Sequence, residues 1–108
     1  MVFDHEIDRD MLRFEEIKKV LGKYKGELKE KFHIKEIGIF GSYVRGEGAE
    51  KSDIDILVEF EKGNKDFFNY IKLKYYLKEL LGKEVDIVIK EAVKPRLKEK
   101  IFSEVRYV

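Results

Sequence analysis

The sequence predicts an α+β domain of α/β-like character, in which a small mixed β-sheet of three or more strands packs with about three helices. Residues 34–40 and 85–89 are apolar runs with the length of buried strands. Residues 54–60 place branched apolar side chains on one face and mainly acidic side chains on the other, as a strand with two different faces does. Residues 66–81 have helical spacing, and a strand–helix–strand order predicts parallel neighbouring strands.

The rest of the chain predicts two more helices. Apolar residues recur at helical spacing over 10–31, which predicts one long helix, bent near Gly22 and Gly26 because glycine disfavours a helix interior. Gly82 suits the end of the central helix, since glycine readily adopts the left-handed conformation found there. Pro95 suits the first turn of a final helix.

Composition limits the classes of protein to consider. The length of 108 residues predicts a single domain over 1–108. The 23 basic and 22 acidic residues leave a net charge of +1, which argues against broad nucleic-acid binding. The absence of cysteine excludes a disulfide scaffold, a Cys-ligated zinc site and a thiol nucleophile. No apolar run has the length of a membrane-spanning helix. We expect a cytoplasmic location. The richness in lysine and glutamate is typical of a protein from a thermophile.

Three aspartates stand near the starts of two predicted strands. Asp53 and Asp55 flank Ile54, so both carboxylates lie on one face of a strand, about 7 Å apart along it. Asp86 has a similar position in the next strand, and parallel neighbours bring their amino-terminal ends together. Like charges on apolar strands are costly unless a cation compensates them. Paired oxygen ligands therefore predict Mg²⁺ or Mn²⁺ at this edge of the sheet.

The turn after the first strand predicts a phosphate site. Gly41 allows close approach to the backbone, and Ser42 offers a hydroxyl and an N–H. The planar guanidinium of Arg45 is suited to binding phosphate. An ion pair of Arg45 with Glu47 or Glu50 is an alternative of equal weight. This turn faces the aspartates if the first two strands run antiparallel. A phosphate cradle beside three carboxylates points to two-metal phosphoryl or nucleotidyl transfer.

These motifs together resemble those of a known superfamily. Residues 41–46 read Gly-Ser-Tyr-Val-Arg-Gly, residues 52–55 read Ser-Asp-Ile-Asp, and Asp86 follows. The combination resembles the DNA polymerase β-type nucleotidyltransferases, and within them the minimal nucleotidyltransferase (MNT) group, in which one short domain is the whole protein. The resemblance covers nearly the full chain and implies the nucleotidyltransferase fold.

The resemblance implies a role for each site residue. Asp53 and Asp55 would bind two Mg²⁺ ions, and Asp86 would complete the catalytic metal and help to activate the attacking hydroxyl. Gly41 and Ser42 would hold the β- and γ-phosphates of a nucleoside triphosphate. The acceptor hydroxyl would attack the α-phosphorus and release pyrophosphate.

The resemblance also implies a biological setting. MNT proteins are often encoded with a HEPN-domain toxin and act as antitoxins, some by attaching AMP to a tyrosine of the toxin. We therefore expect ATP and a cognate HEPN toxin as partners. Two alternatives stay open. One is an antitoxin that masks its partner by binding alone; the other is transfer to a small molecule or RNA, for which a homodimer would supply missing pocket walls.

The central helix carries more aromatic residues than one helix face can bury. We expect most of them to belong to the core, and the surplus to form a surface that docks a partner chain. The set comprises Phe67, Phe68, Tyr70, Tyr75 and Tyr76.

Overall fold

The structure is a computed structural model that describes residues 13–47, 52–64 and 66–108. None of the helices within these ranges has the length and apolar character needed to cross a membrane. In chain order the elements are α1 (Phe14–Lys23), α2 (Lys25–Phe32), β1 (Ile34–Phe40), a 3₁₀ turn (Gly41–Tyr43), β2 (Ile54–Phe60), α3 (Phe67–Leu81), β3 (Val85–Ile89), a second 3₁₀ turn (Lys90–Ala92), α4 (Pro95–Glu104) and β4 (Arg106–Tyr107).

The strands form one mixed sheet in the order β3-β2-β1-β4. Strands β2 and β3 are parallel, whereas β1 is antiparallel to β2, so both predicted pairings are confirmed. The two-residue strand β4 was not predicted, because it is too short to show periodicity. It pairs with β1 at Gly38, where an added Cβ would lie 2.7 Å from Val105 Cγ2. The missing side chain of Gly38 therefore admits the C-terminal strand.

The prediction of one long first helix is wrong. Helix α1 ends at Lys23, and α2 begins at Lys25, with Tyr24 between them at φ −98° and ψ 6°. Backbone bonds continue across the break, since Tyr24 N–H donates to Val20 O and Leu28 N–H donates to Tyr24 O. On the two sides of the break, both helices bury apolar side chains. Residues 10–12 of the predicted helix lie outside the described residues.

The sheet is covered on both faces, and this positions the site. The larger core joins α1, α2 and α3 to one face of the sheet. On the other face Phe40 and Leu57 pack against Val93, Ile101 and Val105. Ile101 lies in α4, and Val93 and Val105 lie just outside its two ends. Because side chains alternate along β2, its acidic positions share the α4 face with Leu57.

The predicted ends of the last two helices are confirmed. Asp66 caps α3 by accepting a hydrogen bond from Asn69 N–H, and Gly82 ends α3 at φ 69°. Pro95 occupies the first turn of α4, where its missing N–H is not needed.

Candidate active site

The three predicted aspartates lie at one rim of the sheet. Asp55 and Asp86 are register partners on parallel strands, and Asp53 directly precedes β2. Asp53 and Asp86 are exposed, whereas Asp55 is half-buried. The expected convergence follows from the β2–α3–β3 crossover, which returns the chain to the same end of the sheet.

Gly41 lies directly against this rim. Its neighbour Phe40 is the register partner of Asp55, and an added Cβ at Gly41 would collide with Asp55 Oδ2. Gly41 also has φ +80°, a conformation that side-chain-bearing residues rarely adopt. The 3₁₀ turn Gly41–Tyr43 then carries the half-buried Ser42. The strand end, the turn and the central aspartate are thus packed together as the sequence predicts.

Electrostatic repulsion is built into the rim. Partial burial raises the pKa of Asp55 from 3.8 to about 6, and the negative charges of Asp86 and Asp53 add to this rise. The positive charge of Arg45 acts in the opposite direction and lowers the pKa of Asp55. The charges of Asp53 and Asp86 therefore act on Asp55, and ionisation of the half-buried Asp55 costs free energy.

Arg45 is held by carboxylates in this structure. Its Nη1 donates to both oxygens of Glu104 at 2.9 and 3.0 Å, and its Nε donates to Glu47 at 3.1 Å. The ion pair with Glu47, which is the alternative to phosphate binding, is present. Glu50 lies outside the described residues. Hydrogen bonds to both glutamates raise the pKa of Arg45, which keeps its positive charge at the rim.

The residues of the rim fit a hard divalent cation by their chemistry. Among residues 13–47, 52–64 and 66–108, no three His, Cys, Asp or Glu side chains converge closely enough to hold a metal as they stand. The donors at the rim are nonetheless all carboxylate oxygens, which Mg²⁺ and Mn²⁺ prefer. The raised pKa of Asp55 reflects its burial first and the charges of Asp86 and Asp53 second, and a cation between the strands would offset both costs.

Sequence reasoning missed Glu104. This residue closes α4 and accepts a hydrogen bond from Gly41 N–H at 2.5 Å, across 63 positions of the chain. No local motif marks it, since a glutamate at the end of a Lys- and Glu-rich helix is unremarkable in the sequence. Only the packing of α4 against the sheet brings it to the rim.

Tyr43 is a second missed residue. It is 4% exposed, and its hydroxyl accepts a hydrogen bond from Lys83 Nζ at 2.7 Å. The same hydroxyl donates to Ser52 O at 3.5 Å. Through these hydrogen bonds, Tyr43 connects the turn Gly41–Tyr43 to the segments that precede β2 and β3.

A groove lies at the opposite end of the sheet. Phe67, Phe68 and Tyr75 are 70, 74 and 69% exposed, so the expectation that most aromatics of α3 are core is wrong. Tyr76 is buried, and Tyr70 packs at the edge of the core. The groove has a volume of about 860 Å³ and is lined by Lys31, Phe32, His33, Asn64, Asp66, Phe68, Asn69, Lys72, Tyr75, Tyr76 and Glu79.

Comparison with known proteins agrees with this geometry. Residues 21–108 match the model of the nucleotidyltransferase domain family. The chain belongs to this family. It is 48% identical over 98 residues to the protein adenylyltransferase MntA of Thermococcus cleftensis, covering 91% of this chain and 98% of that protein.

Solved structures of the same fold extend the comparison. A structure assigned to a minimal nucleotidyltransferase is 32% identical, with a TM-score of 0.71, and the match covers 89% of this chain and 96% of that chain. An MNT antitoxin in complex with a tri-AMPylated HEPN toxin from Shewanella oneidensis yields a match of 22% identity and a TM-score of 0.61, covering 84% of this chain and 70% of the matched chain. The latter shows a shared fold. The predicted family and fold are confirmed.

Proposed function

We propose that this chain transfers AMP from ATP to a hydroxyl of a partner protein, with Mg²⁺ as cofactor, and acts as the antitoxin of a toxin–antitoxin pair. The partner is a cognate HEPN toxin and the acceptor is one of its tyrosines. The reaction belongs in the cytoplasm, where ATP is available. The observation that carries the proposal is the packing of Gly41 against Asp55, with Asp86 beside it in the neighbouring strand. This brings a phosphate turn and metal-type ligands into contact.

The roles of the residues follow from their positions. Asp55 is central, half-buried and next to the turn, so it is assigned to both metal ions together with Asp53. Asp86 lies on the edge strand β3 and is exposed, so an acceptor can approach it from outside. Bound Mg²⁺ would supply charge neutralisation at the phosphates and a lowered pKa for the attacking hydroxyl. Gly41 and Ser42 are assigned to the β- and γ-phosphates.

The proposed reaction balances without a further reactant. The acceptor oxygen forms a bond to the α-phosphorus, the bond to the bridging oxygen breaks, and pyrophosphate leaves. The acceptor proton passes to Asp86 or to solvent. The protein's contribution is to bring the phosphates and acceptor into line and to oppose the charge that develops.

Two similarities support the identity of acceptor and partner. The Thermococcus relative is named a protein adenylyltransferase, and nearly its whole length is matched at 48% identity. The Shewanella complex, in which the toxin carries AMP groups, shares the fold with this chain. Both favour a protein acceptor over a small molecule or RNA.

The test is transfer of labelled AMP from ATP to the product of the neighbouring gene. We expect labelling with Mg²⁺, none with excess EDTA, and a loss of at least about 100-fold in the Asp53→Asn, Asp55→Asn and Asp86→Asn variants. Glu59→Gln is the matched control, because Glu59 lies on the same strand and face, beyond Leu57, and contacts Lys35 and Lys90. Mass spectrometry of the labelled partner should locate AMP on a tyrosine. Unlabelled partner, or equal labelling by the variants, would contradict the proposal.

A second function is favoured by one observation, the exposed aromatic residues of α3. A partner seated on them would be masked without any chemistry. The Asp53→Asn, Asp55→Asn double variant separates the two mechanisms, since transfer requires the aspartates and masking does not. Growth of cells that express the toxin with this double variant should stop if transfer neutralises the toxin, and should continue if masking does.

A further inference from the structure

A carboxylate from the last turn of α4 binds the Gly41–Arg45 turn, which is the turn proposed to hold phosphate. Glu104 Oε1 accepts the backbone N–H of Gly41 at 2.5 Å. Both oxygens of Glu104 also accept from Arg45 Nη1, at 2.9 and 3.0 Å. One side chain thus connects the first residue of the turn to the guanidinium that follows it.

The burial of this contact distinguishes it from an ordinary surface ion pair. The Glu104 side chain is 14% exposed, and that of Arg45 is 37% exposed. Glu47, which also binds Arg45, is 62% exposed and makes a single contact at 3.1 Å. Charge-assisted hydrogen bonds are stronger than neutral ones and are screened less when partly buried. Glu104 therefore links Arg45 to the backbone amide of Gly41 through one carboxylate.

The packing of α4 does not depend on this contact. Ile101 and Val105 anchor the end of the helix in the apolar cluster with Phe40 and Leu57, and Val105 N–H closes the helix on Ile101 O. Removing the Glu104 carboxylate leaves these contacts in place. Its bonds to the turn are consequently an addition to the fold that can be tested separately.

We infer that Glu104 is a positioning residue of the nucleotide site, which acts by holding the Gly41–Arg45 turn in place before the nucleotide arrives. This inference rests on the proposed function. Gly41 needs support because it has a left-handed backbone and lies against Asp55. A turn held at both ends loses less conformational entropy when phosphates bind, and it presents Ser42 in a constant orientation.

The first test reads the turn itself and needs no enzyme activity. In ¹H–¹⁵N spectra of the full chain, we expect Glu104→Ala to shift the amide signals of Gly41, Ser42 and Arg45. Their hydrogen exchange should become at least about tenfold faster, because the restraint on the turn is lost. Amides in the middle of β2 serve as the internal reference and should not change. Unchanged amide signals in the turn would overturn the inference, whatever the activity of the variant.

The second test reads nucleotide binding and transfer. We expect Glu104→Ala to raise the KM for ATP about tenfold and to lower kcat less, because the residue acts on binding geometry and not on the acceptor. The KM of Glu104→Gln should fall between those of Glu104→Ala and the wild type, since its amide oxygen still accepts from Gly41 while the negative charge that faces Arg45 is lost. Glu47→Ala is the matched control, because it removes the other carboxylate from Arg45, and its KM should stay within about twofold.

A double-mutant cycle decides whether the effect passes through Arg45. In an Arg45→Ala background, Glu104→Gln should change the KM little, since the ion pair is already absent. Equal effects in both backgrounds would contradict the role of Arg45. A lower KM in Glu104→Ala would show instead that this carboxylate competes with phosphate for the turn. If the wild type fails to bind Mg²⁺ with the ATP analogue AMP-PNP, the proposed function fails, while the spectra still decide whether Glu104 holds the turn.

Discussion

The two ends of strand β2 carry opposite kinds of surface. At its start, the aspartate rim is charged, Asp55 is half-buried, and hydrogen bonds of Glu104 to Gly41 and Arg45 hold the adjacent turn. At its far end, the groove beside α3 exposes Phe68 and Tyr75. A seven-residue strand separates the two by about 20 Å.

The comparison separates chemistry from recognition. Under the proposed function the rim holds the reacting groups, which must be placed precisely, and Gly41 packs against Asp55 there while Glu104 binds the turn. A docking surface needs apolar area that is free to be covered, and the groove supplies it. A change at either end should therefore alter one property and spare the other.

The largest effect is expected from Gly41→Ala at the rim. Its Cβ would collide with Asp55 Oδ2 and force that carboxylate to move. Displacement of a reacting group by about 1 Å costs roughly 100-fold in rate, so AMP transfer should fall by about that factor. Partner binding, measured by calorimetry without ATP, should be unchanged.

Gly46→Ala is the matched control for this prediction. Gly46 has φ +75°, close to the +80° of Gly41, yet nothing lies within 4 Å of an added Cβ. Both variants should lose about 1 kcal/mol of stability through the left-handed backbone. Only Gly41→Ala should lose transfer. Equal losses of transfer would show that backbone strain, and not the collision with Asp55, controls the site.

Much of the rim could be predicted from the sequence. Asp53 and Asp55 occupy alternate positions of a strand whose other face is apolar, so their carboxylates share one face, where paired charges are costly without a cation. The helix between the strands makes them parallel and so brings Asp86 alongside. Local rules were sufficient because each aspartate stands at a strand start.

The parts that could not be predicted depend on contacts between distant segments. Glu104 reaches Gly41 only because α4 packs on Phe40 and Leu57. Gly22 and Gly26 indicate a bend around Tyr24, but the apolar spacing continues across it, so periodicity does not show that the chain forms two helices there. Exposure of the aromatics on α3 depends on how much of the helix the sheet covers, which spacing alone does not show.

An intermediate effect is expected at the groove. Replacing Phe68 or Tyr75 by serine removes exposed aromatic area that lines the groove without opening the core, so folding should be retained. If the partner docks there, its affinity should fall about tenfold for each substitution. Calorimetry with the partner measures this, and ATP binding should not change because the rim is untouched.

Leu97→Ser is the control for the groove. Leu97 is 40% exposed on α4 and does not line the groove. It should leave affinity unchanged if the groove is the docking surface. If all three variants weaken binding equally, general loss of apolar surface is responsible, and the separation of the two ends of β2 is wrong.

The smallest effect is a gain in stability when the charge of the rim is removed. Well below pH 3.8, Asp55 is protonated in both the folded and unfolded states. Between its ordinary pKa of 3.8 and its folded pKa of about 6, only the unfolded state ionises, so the free energy of unfolding falls as the pH rises through this window. Above it, the folded state keeps the full cost of the ionised carboxyl.

Asp55→Asn removes this cost, so the variant should be more stable than the wild type at pH 7.5, and the two should become equal as the pH falls well below 3.8. Because Asp55 is only half-buried, solvent screening reduces the gain to about 1 kcal/mol, or roughly 4 °C in Tm. Thermal unfolding in excess EDTA measures the difference, with the exposed Glu99→Gln as a control that should show none. Added Mg²⁺ should raise the Tm of the wild type and leave Asp55→Asn nearly unchanged. A variant less stable than the wild type at pH 7.5 would mean that the rim is a structural network, and that its charge was not retained for binding a cation.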